Sequence, residues 1–169
     1  MQTAFIVCGR PGVGKTTYAQ GLAKQRQAAL LDIDTVTDRL VRLALAESGR
    51  SEDDRDSAHF KQRFRRPIYD TLFDIARENL KWLDVVIVGP FTREIRDRSW
   101  PAQLRAALGS SVEIHYVYCR PEDRRERLAH RAERRDVVKL ADWDNHLSNQ
   151  EEEQPPEFPH LFIDTSESQ

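Results

Sequence analysis

The chain predicts an α/β fold, a three-layer sandwich around a five-stranded parallel sheet. Three observations predict it. Short apolar runs alternate with longer amphipathic stretches along the sequence. Two of those runs, "TAFIVC" (3–8) and "DVVIVG" (84–89), are almost continuously apolar, as strands covered on both faces are. The length, 169 residues, suits one domain of ordinary size.

The strand at 3–8 runs into a glycine-rich turn and then an amphipathic helix over 15–26, with Tyr18, Ala19, Leu22 and Ala23 on its apolar side. "ALLDI" (29–33) is a second strand, and a helix over 35–47 comes after it. The charged "GRSEDDRDS" (49–57) reads as a loop before a helix over 58–82. Strands at 84–89 and 112–119 flank a helix over 101–108, and helices over 121–132 and 137–149 come next. The proline- and glutamate-rich stretch 149–159 is a connector to a last strand, "HLFID" (160–164). Strand–helix alternation implies right-handed crossovers. No internal repeat is visible, and the segment beyond the connector is only one strand long, so 1–169 reads as a single domain.

Composition narrows the function. Charged residues make up 32% and the net charge is −2, which argues against a protein that coats nucleic acid. Within that balance 21 of the 26 basic residues are arginine, whose planar fork grips phosphate. Cys8 and Cys119 each close an apolar run and read as small buried hydrophobes, with no CxxC or Cys/His cluster to suggest a disulfide or metal site. The five histidines show no ligand spacing. No apolar stretch nears the ~20 residues that span a bilayer. The first apolar run is too short for a signal peptide. A cytoplasmic protein with no membrane association is expected, its oligomeric state left open.

The turn carries the clearest chemistry. "GRPGVGKTT" (9–17) meets G-x-x-x-x-G-K-[ST] through Gly9, Gly14, Lys15 and Thr16. Glycines let successive N–H groups turn inward onto phosphate oxygens. The helix that begins near Lys15 adds its positive end. Lys15 reaches the β- and γ-phosphates, and the Thr16 hydroxyl is placed to ligate Mg2+. The expected nucleotide site comprises Gly9, Arg10, Pro11, Gly12, Val13, Gly14, Lys15, Thr16 and Thr17. Gly12 is an additional glycine and Pro11 stiffens the loop. For Arg10 two readings stand, a nucleotide contact or a solvated loop residue.

"LLDIDTVTDRL" places Asp32 and Asp34 two apart, on one face if the chain is extended there. At a strand end beside the phosphate loop they open onto the ligand crevice of an α/β sheet. One carboxylate suits Mg2+, through water. The other suits proton acceptance from an attacking hydroxyl. Asp34 is equally a natural N-cap for a helix starting at Thr35.

"GRPGVGKTT" and then "LLDIDT" resemble the P-loop kinases, the group of zeta toxins, chloramphenicol phosphotransferase, gluconate and shikimate kinases and polynucleotide kinase. The resemblance covers most of the chain as an order of elements. It implies a nucleotide-kinase-like P-loop NTPase fold, use of ATP and Mg2+, Asp34 as acceptor ligand and base, and Asp32 as an aid to magnesium. The polynucleotide-kinase group has an arginine three residues past that base, where this chain has Thr37.

Many P-loop proteins end the third strand in an acid, but here Val88 and Gly89 stand there. Metal support then falls on Thr16 and Asp32, which disfavours a motor. Gly89 and Pro90 fit a sharp turn, after which Thr92 and Arg93 sit where an acceptor is gripped; alternatively Thr92 caps a solvated helical turn, "TREIRDR". "CRPEDRRERLAHRAERRD" (119–136) holds seven arginines, of which Arg124, Arg127, Arg131 and Arg134 or Arg135 share a helical face. By its position after the fourth strand, where the kinases it resembles carry a lid over ATP, the segment corresponds to an Arg-rich lid over about 124–140. By the resemblance its "RLAHR" places Arg127 beside the adenine and Arg131 at the transferring phosphate. Arginine there neutralises charge on the phosphoryl oxygens. A solvated face paired to Glu122, Asp123, Glu126 and Glu133 is the plainer reading.

Residues 48–67 correspond to an acceptor-binding insert in the related kinases. Arg63, Arg65 and Arg66 are candidates for holding an anionic acceptor, with Arg135 reaching in from the lid. Phe60 and Phe64 interleave with basic residues as base-stacking surfaces do, or form an apolar helical stripe. No guanine-reading Asn-Lys-x-Asp is present. The sequence therefore predicts an ATP-dependent phosphotransferase with a small-molecule acceptor, Asp34, Lys15 and Arg131 being its catalytic residues. The alternatives are a kinase of nucleic acid or modified nucleobases, a sugar-nucleotide kinase, and an ATP-binding regulator.

Overall fold

The computed structural model describes residues 2–55, 57–131, 140–141, 143 and 154–166. Five strands, β1 (Thr3–Cys8), β2 (Ala29–Asp32), β3 (Val85–Val88), β4 (Ser111–Tyr118) and β5 (Leu161–Asp164), form one sheet in the order β2-β3-β1-β4-β5. Every pairing is parallel. The continuous apolar runs occupy the middle, where both faces must be covered. Ala4 and Ile6 of β1 and Val85 and Ile87 of β3 face helices α4 (Arg65–Asn79) and α5 (Trp100–Leu108), packing on Leu72, Ala76, Leu104 and Leu108. Phe5, Val7, Val86 and Val88 face α1 (Lys15–Arg26), packing on Ala19, Leu22 and Ala23. This is the three-layer parallel sandwich the alternation predicts.

Helix α2 (Ile33–Glu47) leaves β2 with no loop between them. The cap is therefore Asp32, whose Oδ1 accepts from the Asp34 N–H at 3.0 Å, and not Asp34, which lies in the first helical turn. The helix foreseen over 58–82 is two, α3 (Ala58–Arg63) and α4, broken at Phe64. Pro67 explains the break. In a continuous helix its ring meets the carbonyl of residue 63 and its missing N–H leaves that carbonyl unpaired. In the first turn of a new helix the amide has no partner to lose. Where a helix from Thr92 stood as one reading, a single 3-10 turn forms (Glu94–Arg96). Helix α6 (Pro121–Arg131) comes directly after β4. The lid foreseen to about residue 140 and the helix over 137–149 lie outside the described residues, except for Leu140, Ala141 and Trp143. No helix among the described residues is long and apolar enough to cross a membrane.

Candidate functional site

The site is built at the ends of β1, β2 and β3, from the loop after β1, the start of α2 and the turn after β3. The turn after β1 needs glycine at two places for different reasons. Gly9 has φ 138°, and a Cβ there would lie 2.3 Å from the Val117 carbonyl oxygen of β4. Gly12 has φ 84°, and its Cβ would meet the Leu128 side chain of α6 at 2.9 Å. The loop is thus pressed against the sheet on one side and α6 on the other. It delivers Lys15 at the first position of α1, whose free N–H groups and dipole end favour an anion.

Lys15 Nζ donates to the Arg10 carbonyl at 2.7 Å. Burial pushes its pKa down to about 8, against Asp34 and Asp32, which favour the charged form. The Thr16 hydroxyl donates to Asp32 Oδ2 at 2.8 Å, while Asp32 Oδ1 caps α2. A hydroxyl and a carboxylate held together at the loop suit Mg2+, which takes few protein oxygens and keeps waters. Among the described residues there is no group of three or more His, Cys, Asp or Glu that would hold a metal without help.

Beside the loop lies a cleft of about 350 Å³. Lys15, Asp34 and Arg131 all line it, so three residues from three distant stretches share one space. Pro11 and Thr92 line it as well, with Val88, Gly89 and Pro90 at the end of β3. On the far wall stand Arg55, Arg65 and Tyr69. Arg55 Nη2 donates to Asp38 Oδ1 at 2.5 Å, and Nη1 is 3.9 Å from Asp34 Oδ1. Arg65 bonds both oxygens of Glu94, at 2.7 and 2.9 Å, and its guanidinium lies over the Tyr69 ring. Burial pushes the Tyr69 phenol up to about 12, keeping its O–H as a donor.

The arginines of α6 separate. Arg131 faces the cleft. Arg127 turns the other way and donates to both the hydroxyl and carbonyl of Thr165, beside Gly14. Arg124 is buried, 2% exposed, under Gly12 and over the Trp143 ring. Arg135 lies outside the described residues.

Of the other expected acceptor contacts, Thr92 lines the cleft but Arg63 and Arg66 do not. Arg63 is exposed on α3, and Arg66 is 90% exposed with Asp70 at 3.5 Å. Arg93 lines a second groove beyond Arg65. Phe60 and Phe64 stack on each other at 5.6 Å and pack on Val41, Leu45 and Ile68, so the apolar-stripe reading describes them.

Sequence reasoning missed Arg55 and Thr165. Arg55 had a signal: Asp34 and Asp38 are four apart on α2, one face that attracts a cation. Thr165 had none. Its hydroxyl lies 2.7 Å from the Val13 carbonyl and 3.0 Å from that of Tyr118, tying the residue after β5 to the loop after β1.

A family model described as an AAA domain matches residues 5–152. No curated protein matches the sequence. Among solved structures, a sugar kinase from Janibacter sp. HTCC2649 is similar with a TM-score of 0.60 at 16% identity, over 98% of this chain and 86% of that one. Shikimate kinase from Acinetobacter baumannii, in complex with shikimate, gives 0.55 at 18%, over 99% and 86%. A gluconokinase from Sinorhizobium meliloti 1021 gives 0.53 at 16%, over 99% and 83%. The fold is that of P-loop kinases along nearly its whole length.

Proposed function

The chain belongs to the AAA domain family, and on that premise we propose that it is an ATP-dependent phosphotransferase, moving the γ-phosphoryl group of Mg-ATP to a hydroxyl of a small-molecule acceptor. The observation that carries the reading is the cleft shared by Lys15, Asp34 and Arg131. On this reading a donor-phosphate cation, a carboxylate base and a long arginine side chain line one space.

When bound, Mg-ATP supplies the phosphoryl group, and its metal neutralises phosphate charge. The chain's own residues do the rest. The backbone N–H groups of residues 9–16 and Lys15 hold the phosphates. Thr16 and Asp32 are the residues that would hold the metal. Asp34 accepts the hydroxyl proton as the acceptor attacks and orients that oxygen in line. Arg55, bonded to Asp38 and within 3.9 Å of Asp34, positions that carboxylate. Arg131 stabilises charge on the transferring group. Arg127, set against Thr165 on the far side of Gly14, borders the nucleotide rather than the acceptor.

A small-molecule acceptor is supported by the size of the cleft and by neighbours named as sugar, shikimate and gluconate kinases. Phe60 and Phe64, being stacked on each other, speak less for a nucleic-acid strand. The test is transfer of label from γ-labelled ATP to a panel of hydroxyl compounds. Asp34→Asn is expected to lower transfer about 10²–10⁴-fold with nucleotide affinity kept. Undiminished transfer in Asp34→Asn sinks the mechanism, and nucleotide binding without transfer to any acceptor favours the ATP-binding regulator.

A further inference from the structure

The acceptor cleft does not end at Arg65. A second groove of about 290 Å³ adjoins it, and Lys61, Arg65 and Tyr69 line both spaces. Phe73, Phe91 and Arg93 line the outer groove as well. Its charges do not balance. Four cationic side chains, Lys61, Arg65, Arg66 and Arg93, line it with two anionic ones, Asp70 and Glu94. Glu94 is taken by Arg65 and Asp70 by Arg66. Lys61 and Arg93 remain, with no counter-ion among the described residues. Two cations without a counter-ion among the described residues, in a groove that adjoins the cleft of Asp34, describe a longer site than one hydroxyl requires.

Resting on the kinase reading above, we propose that the acceptor is a phosphate ester: its hydroxyl lies at Asp34 in the inner cleft, and its phosphate lies in the outer groove between Lys61 and Arg93. A dianion matches two cations, where a carboxylate is satisfied by one. The body between the two ends passes over Arg65 and Tyr69, where the guanidinium already covers the ring at 5.1 Å. Sugar phosphates and nucleoside monophosphates share this chemistry. Phosphoryl transfer to either forms a new O–P bond at the hydroxyl, breaks the γ-phosphate bond of ATP, and leaves the proton on Asp34.

The experiment is isothermal titration of the whole chain with a saturating non-hydrolysable ATP analogue, so that the donor site is filled. The probes are matched pairs: ribose and ribose 5-phosphate, glucose and glucose 6-phosphate, adenosine and AMP. In at least one pair the phosphorylated member is expected to bind about tenfold tighter, the margin two exposed ion pairs give. The sugar and nucleoside pairs separate the two sources. In Lys61→Gln/Arg93→Gln that margin falls below about threefold, the ratio within each pair being the readout because Lys61 also lines the inner cleft. Arg93→Gln alone, at an exposed position outside the inner cleft, shows a partial loss and guards against a folding defect in the double variant. Equal binding within every pair, or a margin that survives both substitutions, overturns the inference. Label transfer is measured separately on the same pairs. Preferential binding with no transfer to these or to any acceptor of the panel refutes the kinase reading alone, and equally efficient transfer to both members refutes the phosphate subsite alone.

Discussion

Gly9→Ala tests whether the phosphate loop is wedged against the sheet as described. The new Cβ lies 2.3 Å from the Val117 oxygen, and real Cβ atoms essentially never come within 3.0 Å of such an atom. The contact must therefore open by at least about 0.7 Å, the difference of those two distances. No flexible side chain can yield, because the obstacle is backbone in a strand whose Val117 is fully buried. The φ of 138° adds strain of its own. A sparsely populated φ costs about 1–3 kcal/mol and overpacking about 1–3 kcal/mol, so about 4 kcal/mol is the central expectation. For a chain of this length that lowers Tm by about 8–16 °C. Gly21→Ala is the matched comparison: the same chemistry, inside α1, with nothing within 4 Å of the new Cβ. It is expected to raise stability by about 1 kcal/mol. Thermal melts followed by circular dichroism read both, and titration with a fluorescent ATP analogue reads the loop. A Gly9→Ala protein melting within about 3 °C of the parent, with nucleotide affinity unchanged, would refute the wedge.

Buried groups set two further outcomes. Lys15 titrates near 8 when the site holds no phosphate. Bound phosphate favours its charged form, so affinity for an ATP analogue is flat below about pH 8 and falls above it as the free protein loses the proton. Lys15→Arg removes that fall, whereas an affinity that rises with pH would contradict the assignment. Burial pushes the Cys8 thiol up to about 12, and Cys119 is fully buried. Neither thiol should react with a thiol-specific reagent at neutral pH in the folded protein, and both should react once it is denatured; rapid native labelling would mean the core is open.

What the sequence made legible was what is local. Four residues of one loop announce a phosphate site because spacing and chemistry coincide within eight positions. The central strands declare themselves because burial on both faces leaves no polar alternation. Boundaries that depend on one residue's missing hydrogen were harder: Pro67 splits a helix whose apolar pattern runs straight through it. Asp34 was visible as a candidate carboxylate beside the loop, but its place in α2 rather than on a strand comes from Asp32 taking the cap. Arg55 lay in a charged stretch read as a loop, and only the fold carries it to Asp34 and Asp38. Thr165 was beyond reach, since only the folded sheet brings it to Val13 and Arg127.

That last contact bears on the order in which the chain is made. The motif residues of the loop all lie within 9–17, yet Thr165, which bonds the loop carbonyl and Arg127 together, comes about 150 residues later in the chain. A nascent chain halted before β5 carries the complete motif with its bracing absent. Nucleotide affinity is therefore expected to depend on Thr165 having joined the loop, and a chain ending before β5 should bind an ATP analogue more weakly than the whole chain.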